Sequence, residues 1–199
     1  MTSGNKELLV IRHGQSEWNA LGLWQGQADP PLTDLGERQA AAAVAALAPF
    51  GFDAVATSNL KRSNRTGQVI AQGLSLAEPD VEPLLAERAA GEWSGLNKVQ
   101  IEEQYPGYLA EGRRPPGYES DEELLPRVLE GLGAVAQMPG ERLAVVAHGG
   151  VIYVLEEHFG KSFERIGNLG SRWFSFVDGE LRIGDREELV SETTIPDQI

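Results

Sequence analysis

Polar residues give way at Leu8 to an unbroken apolar run, Leu8-Leu9-Val10-Ile11, which stops at Arg12-His13-Gly14. Apolarity without alternation predicts a short strand buried on both faces. Residues 20–37 are dense in Gly, Pro and Asp and predict a loop over the end of that strand. Thr33 reads as an N-cap with Asp34 in the first turn, and the alanine-rich run to Leu47 predicts a helix, although Gly36 at the third helical position leaves its capping box incomplete. Residues 52–58, FDAVATS, predict a second strand, with Ser58 capping a helix over 59–71. Residues 81–88, VEPLLAER, predict a weaker third strand ending at Glu87. Pro106, Gly107, Gly112, Pro115, Pro116 and Gly117 interrupt residues 97–119 around one short helical piece, which predicts a lid or wall. Helix returns over 120–137, where Pro126 either kinks it or marks its true start. RLAVVAHGG, residues 142–150, is the clearest strand after the first, followed by a helix over 151–159. Residues 172–185 alternate around Asp178-Gly179 and predict an antiparallel hairpin at a sheet edge. The tail beyond is read as loosely held. Recurrence of strand, loop and helix predicts an α/β three-layer sandwich, a mainly parallel central sheet with an antiparallel edge and helices on both faces.

Composition narrows this picture. The 199 residues, 41% hydrophobic, suffice for one well-buried core, so 1–199 is expected to form a single domain with the 97–119 wall inside it. Absence of cysteine excludes disulfides, thiolate catalysis and cysteine-ligated metal centres. Residues 1–6 carry no apolar leader core, and no stretch is long and apolar enough to cross a bilayer, so a cytoplasmic location is expected. A formal charge of −13 repels phosphate backbones and anionic lipid, which argues against nucleic-acid or membrane partners. A small anion stays compatible where local positive charge overrides the net field. The edge strand of the hairpin offers a route to a homodimer.

Candidate chemistry gathers at the predicted strand ends. Arg12-His13, Glu87 and His148 close three strands, and Arg62 lies in the helix after the second. In a parallel sheet all of them share one edge, where open α/β sheets build ligand crevices. Arginine is a permanently charged fork of donors, and histidine attacks, shuttles a proton or donates according to its tautomer. Taken singly, Arg62 reads as a solvated helix cation, Glu87 as a surface ion pair with Arg88, and His148 as a strand terminus. Their joint placement points to a shared anion site.

These residues carry a resemblance. Arg12-His13-Gly14 after an apolar strand, Asn19, the PLTDLG segment, Ser58-x-Leu60-x-Arg62 with Thr66, Leu85-Ala86-Glu87-Arg88 and Ala147-His148-Gly149-Gly150 resemble the histidine phosphatase superfamily. The similarity is to the branch of cofactor-dependent phosphoglycerate mutases and small phosphatases, with Glu119-Ser120 and Arg127-Val128 also where that family has them. It implies that His13 is phosphorylated, that Arg12, Asn19, Arg62 and His148 bind phosphoryl oxygens, and that Glu87 handles the proton. It also sets Gln25, Gly26 and Gly149 beside the phosphate. Two guanidinium groups and a donating imidazole balance the roughly two negative charges of a phosphate monoester, so neither a metal nor an organic cofactor is expected.

One centre serves both hydrolysis and isomerisation, so the walls must separate them. Trp24-Gln25-Gly26-Gln27, the short step from Arg114 to Glu119, and Ala90 in place of an aromatic resemble the phosphatase branch. Gly95-Leu96-Asn97-Lys98, Tyr105 and Arg113-Arg114 resemble the wall with which mutases hold a carboxylate. Lys98, Arg113 and Arg114 therefore either contact a second anion or are solvated loop cations. The reading adopted is a phosphoric monoester hydrolase of the histidine acid phosphatase type, acting on a small phosphorylated metabolite. A phosphoglycerate mutase is the alternative and a non-catalytic phosphoryl-binding protein a more distant one. A metal-dependent hydrolase lacks its motif, since no His-Glu-x-x-His is present.

Overall fold

Strand β1, Lys6–Arg12, runs through the middle of a six-stranded sheet, and its Leu8, Leu9, Val10 and Ile11 are all fully buried. The computed structural model describes residues 5–191. With β2 (Ala54–Thr57), β3 (Asp80–Val81), β4 (Arg142–Ala147), β5 (Gly170–Val177) and β6 (Glu180–Glu188), the sheet order is β3-β2-β4-β1-β5-β6. The pairs β3/β2, β2/β4 and β4/β1 are parallel, whereas β5 lies antiparallel to β1 and β6 to β5.

Strand pleat splits the apolar runs between two cores. Leu8 and Val10 join Leu143, Val145 and Ala147 on one face, beneath α5 (Asp121–Val135) and α6 (Gly149–His158). Leu9 and Ile11 join Val55, Ala144 and Val146 on the other, beneath α2 (Asp34–Leu47) and α3 (Lys61–Gly73), following the short α1 (Glu17–Ala20). Each fully buried Leu or Ile contributes about 1.5–3 kcal/mol by leaving water. A third cluster of Trp24, Trp93 and Ile101, with Tyr105, Tyr108 and Tyr118 against it, packs the 97–119 wall and its α4 (Lys98–Gln104) onto the loop after β1. The architecture is the mixed α/β sandwich that the hydrophobic pattern predicts. Among the described residues no helix is long and apolar enough to cross a membrane.

Several local expectations are met by identifiable chemistry. Thr33 caps α2 by accepting from the Gly36 N–H, 3.1 Å. Gly36 has a steric reason: a Cβ there would stand 2.1 Å from the carbonyl oxygen of Gln15, so only glycine lets α2 begin against the segment that leaves β1. Asp178 and Gly179 both take positive φ, 54° and 83°, which matches the right-handed twist of the β5–β6 hairpin.

Others are corrected. The third strand is only Asp80–Val81, because Pro83 offers no N–H to a ladder and starts the 3₁₀ turn Pro83–Leu85, so Glu87 sits in a loop rather than at a strand end. Ser58 does not cap α3. That helix begins at Lys61 with no capping side chain on Leu60, and the Lys61 N–H donates to Asp29 from the β1–α2 loop, 2.6 Å. Pro126 does not mark the start of α5, whose cap is Ser120. It lies inside the helix and deprives the Glu122 carbonyl of its usual donor. Residues 192–199 of the tail lie outside the described residues.

Candidate active site

Strand register brings the candidate residues together. Arg12 pairs with Ala147 across β1 and β4, and Thr57 with Val146 across β2 and β4, so His13, His148 and Ser58 follow side by side at one sheet edge. His13 continues the ladder with its N–H on the Ala147 carbonyl, 3.1 Å, and its own carbonyl accepts from Asn168 Nδ2, 2.8 Å. The Gly14 N–H then donates to Thr66 Oγ1, 3.1 Å, which ties the loop to α3.

The His13 tautomer follows from its partners. Nδ1 lies 2.6 Å from the Gly14 carbonyl oxygen, which only accepts, so Nδ1 carries the proton and Nε2 keeps its lone pair. Arg62 Nε donates to that Nε2, 3.1 Å, consistent with the same assignment. Burial, then the charges of Arg62 and Arg12, hold His13 well below the ordinary histidine range, so the ring is neutral near pH 7. His148, the N-cap residue of α6, is depressed likewise by burial, Arg62 and His13. Its ring stands 5.2 Å from that of His13, its Nε2 meets Ser58 Oγ at 2.7 Å, and its buried Nδ1 has no hydrogen-bond partner.

Two guanidinium groups flank the imidazoles. Arg62 is fully buried on α3 and donates to the carbonyls of Gly26 (2.8 Å) and Ala28 (2.7 Å), which pulls the loop after β1 over the site. Burial brings its pKa down to about 10, still charged at neutral pH. Arg12 donates from Nη1 to the Ile166 carbonyl, 2.6 Å, and its Nε is buried without a partner.

Glu87 reaches the site through a clamp from α5. Arg127 makes a two-pronged bond to Glu119, 2.6 and 2.7 Å, and donates to the carbonyls of Leu84, Ala86 and Glu87, at 2.7, 2.7 and 3.0 Å. Held this way, the Glu87 carboxylate accepts from the N–H groups of Arg88 (2.7 Å) and Gly150 (3.3 Å) at the start of α6. A Cβ on Gly150 would stand 2.3 Å from Glu87 Oε1, so glycine is what lets the carboxylate approach.

A cavity of about 470 Å³ opens over these groups, lined at its inner end by Arg12, His13, Gln25, Gly26, Arg62 and Glu87, with Gly149 beside them. Asn19 is buried and not among the lining residues, its Oδ1 accepting from the Ser16 N–H at 3.2 Å within the α1 capping box. His148 is fully buried, with its ring against that of His13. Of the three cations named for a second anion, Arg114 alone lines the cavity, 5.5 Å over Trp93 and 5.2 Å over Tyr118. Arg113 turns away onto Tyr108, 3.8 Å, and pairs with Glu111, while Lys98 is exposed at the start of α4. Of the two alternatives left open for these cations, the second-anion contact keeps a place in the cavity only at Arg114, since the adjacent Arg113 and Arg114 project to different aromatic neighbours. Sequence reasoning missed Asn168, which lies in an irregular stretch without a motif, and misread Ser58. The parallel register of β2 and β4 was the signal that would have set Ser58 against His148. Among the described residues no group of three or more His, Cys, Asp or Glu is placed to hold a metal ion.

Comparison with known proteins identifies the family of the chain. Residues 8–174 match the histidine phosphatase superfamily (branch 1). The chain is 37% identical over 164 residues to a 2,3-bisphosphoglycerate-dependent phosphoglycerate mutase of Cytophaga hutchinsonii, covering 77% of each protein. It is 34% identical over 147 residues to the uncharacterized phosphatase PhoE of Bacillus subtilis, covering 73% of each. Among solved structures, a mycobacterial glucosyl-3-phosphoglycerate phosphatase complexed with VO3 superposes with a TM-score of 0.79 at 27% identity, over 90% of this chain and 97% of that one.

Proposed function

The chain belongs to the histidine phosphatase superfamily, and from that premise we propose that it hydrolyses small phosphate monoesters through a phosphohistidine on His13. The observation that carries this reading is the proton-free Nε2 of a neutral, buried His13, which accepts from Arg62 Nε and is set in one cavity with two guanidinium groups and the Glu87 carboxyl. His13 Nε2 attacks phosphorus as the ester P–O bond breaks, and Glu87 gives the departing alkoxide its proton. Water then attacks the phosphohistidine, its proton passes to Glu87, the P–N bond breaks and inorganic phosphate leaves. Arg12 and Arg62 offset the charge on the phosphoryl oxygens, and most of the rate comes from this positioning and charge stabilisation. In this reading the Ser58 hydroxyl, which accepts from the Leu60 N–H at 3.3 Å, gives its proton to His148 Nε2, so that Nδ1–H becomes a further donor to the phosphoryl group. Asn19 then serves as a brace for the loop after β1.

Hydrolysis is favoured over isomerisation by the wall. Arg113 packs on Tyr108, Lys98 is not among the residues that line the cavity, and the small Ala90 lines it, which leaves room for water. The mutase reading keeps one supporting observation, the Arg114 guanidinium on the cavity wall, together with the names of several relatives. A screen of phosphorylated metabolites with and without 2,3-bisphosphoglycerate tests the choice, following phosphate release and 3- to 2-phosphoglycerate conversion. Release without conversion supports the hydrolase, whereas conversion that depends on the bisphosphate supports the mutase.

A further inference from the structure

The outer end of the same cavity has a chemistry that phosphate binding does not use. Tyr153 and Glu157, four residues apart, share one face of α6 and both line the cavity. Tyr153 begins where the phosphoryl end stops: a Cβ on Gly149 would stand 3.3 Å from the Tyr153 ring and 3.7 Å from Arg12 Nε. Its hydroxyl accepts from the Ile166 N–H, 2.9 Å, which fixes the ring in place. Phe163 packs on that ring with centroids 4.9 Å apart, yet is 59% exposed. Of the large exposed hydrophobic residues described, Leu21, Val81, Val99 and Phe163, only Phe163 lines the cavity. Glu122, in the first turn of α5, lines the cavity too. Its neighbour Asp121 is engaged by Arg88, whereas Glu122 and Glu157 pair with no cation among the described residues.

We infer that this outer end is a subsite for a neutral, hydroxylated ring on the alcohol part of the substrate, such as the ring of a sugar phosphate. The inference rests on the phosphomonoesterase reading. The C–H face of such a ring packs on Phe163 and Tyr153, while its hydroxyls donate to Glu157 and Glu122, which as carboxylates only accept. A second anion at this end meets the carboxylates of Glu157 and Glu122. A cation must enter a cavity that already holds Arg12, Arg62, Arg88 and Arg114. A volume of about 470 Å³ also lies in the range of pockets that enclose ligands larger than a bare phosphate.

The test compares glucose 6-phosphate and ribose 5-phosphate with ethyl phosphate, all esters of primary alcohols and so similar in leaving-group demand. 3-Phosphoglycerate supplies a second anion and choline phosphate a cation. Wild-type protein and the Phe163→Ala and Glu157→Gln variants are assayed for phosphate release. The expected result is a kcat/KM about tenfold higher for the sugar phosphates than for ethyl phosphate. That ratio collapses several-fold in each variant, mainly through KM. Equal efficiency on sugar and ethyl esters, a ratio that neither variant changes, or a preference for 3-phosphoglycerate or choline phosphate overturns the subsite while leaving the hydrolase reading intact. No release from any ester overturns both.

Discussion

Gly150→Ala separates the stability of this protein from its chemistry. Gly150 is the second residue of α6 and does not need positive φ, so alanine suits the backbone and by helix propensity adds at most about 0.5–1 kcal/mol. The new methyl group, however, is built 2.3 Å from Glu87 Oε1 and 3.3 Å from Glu87 Cδ. The atom in the way is the tip of a flexible side chain, so the fold yields cheaply and the carboxyl retreats by roughly 1 Å to reach ordinary contact. Misplacing a reacting group by that distance costs about 100-fold in rate. Phosphate release from ethyl phosphate should fall by about that factor, while p-nitrophenyl phosphate, whose leaving group needs little protonation, should lose less than about tenfold. The melting temperature should stay level or rise by about 1–4 °C. Full activity on ethyl phosphate would refute Glu87 as the acid acting from beside Gly150. Equal losses on both esters would show that the methyl group acts through His13 or Arg12 instead.

Other outcomes follow from the same geometry. Ser58→Ala should lower kcat by about tenfold, and Ser58→Thr should restore most of it, since threonine returns the hydroxyl to His148 and to the Leu60 N–H. Both buried histidines have depressed pKa values, so below about pH 6.5 the unfolded chain binds protons that the folded chain does not. Stability should therefore drop as pH falls from 6.5 towards 5, and His148→Asn should flatten that limb in melting curves. For the same reason kcat/KM should show no loss of His13 nucleophilicity at an ordinary histidine pKa. Arg127→Met should remove about 2 kcal/mol of stability in urea titrations and lower kcat, because the Glu119 pair and the clamp on the Glu87 loop are lost together. Glu156→Gln should cost about 3 kcal/mol, since it leaves Arg172 and Arg186 short of a partner that is almost wholly buried.

The parts of the fold legible in the amino-acid sequence are those where local chemistry and tertiary packing agree. Leu8 to Ile11 is apolar throughout because both sheet faces are covered, and Asp178-Gly179 accepts the backbone twist that a hairpin demands. Legibility failed where a residue answers to a distant partner. Ser58 looks like a cap but serves His148, ninety positions on. Asn168 holds the His13 carbonyl from a segment with no pattern. Glu87 reads as the end of a strand, whereas Pro83 turns the chain and Arg127 positions the loop. Arg113 and Arg114 are alike as letters, and only the packing of Tyr108 on one side and Trp93 on the other separates their roles.

Strand β4 is inserted between β2 and β1, and its pairing partner in β1 lies 135 residues earlier in the chain. Contacts so remote in sequence form late, because the loop they close must first lose its freedom. A chain that has built everything up to α5 has a slot in its sheet and a nucleophile with no opposite imidazole. Regain of turnover after dilution from denaturant is thus a clock for the filling of that slot, and it should lag behind the return of helical signal.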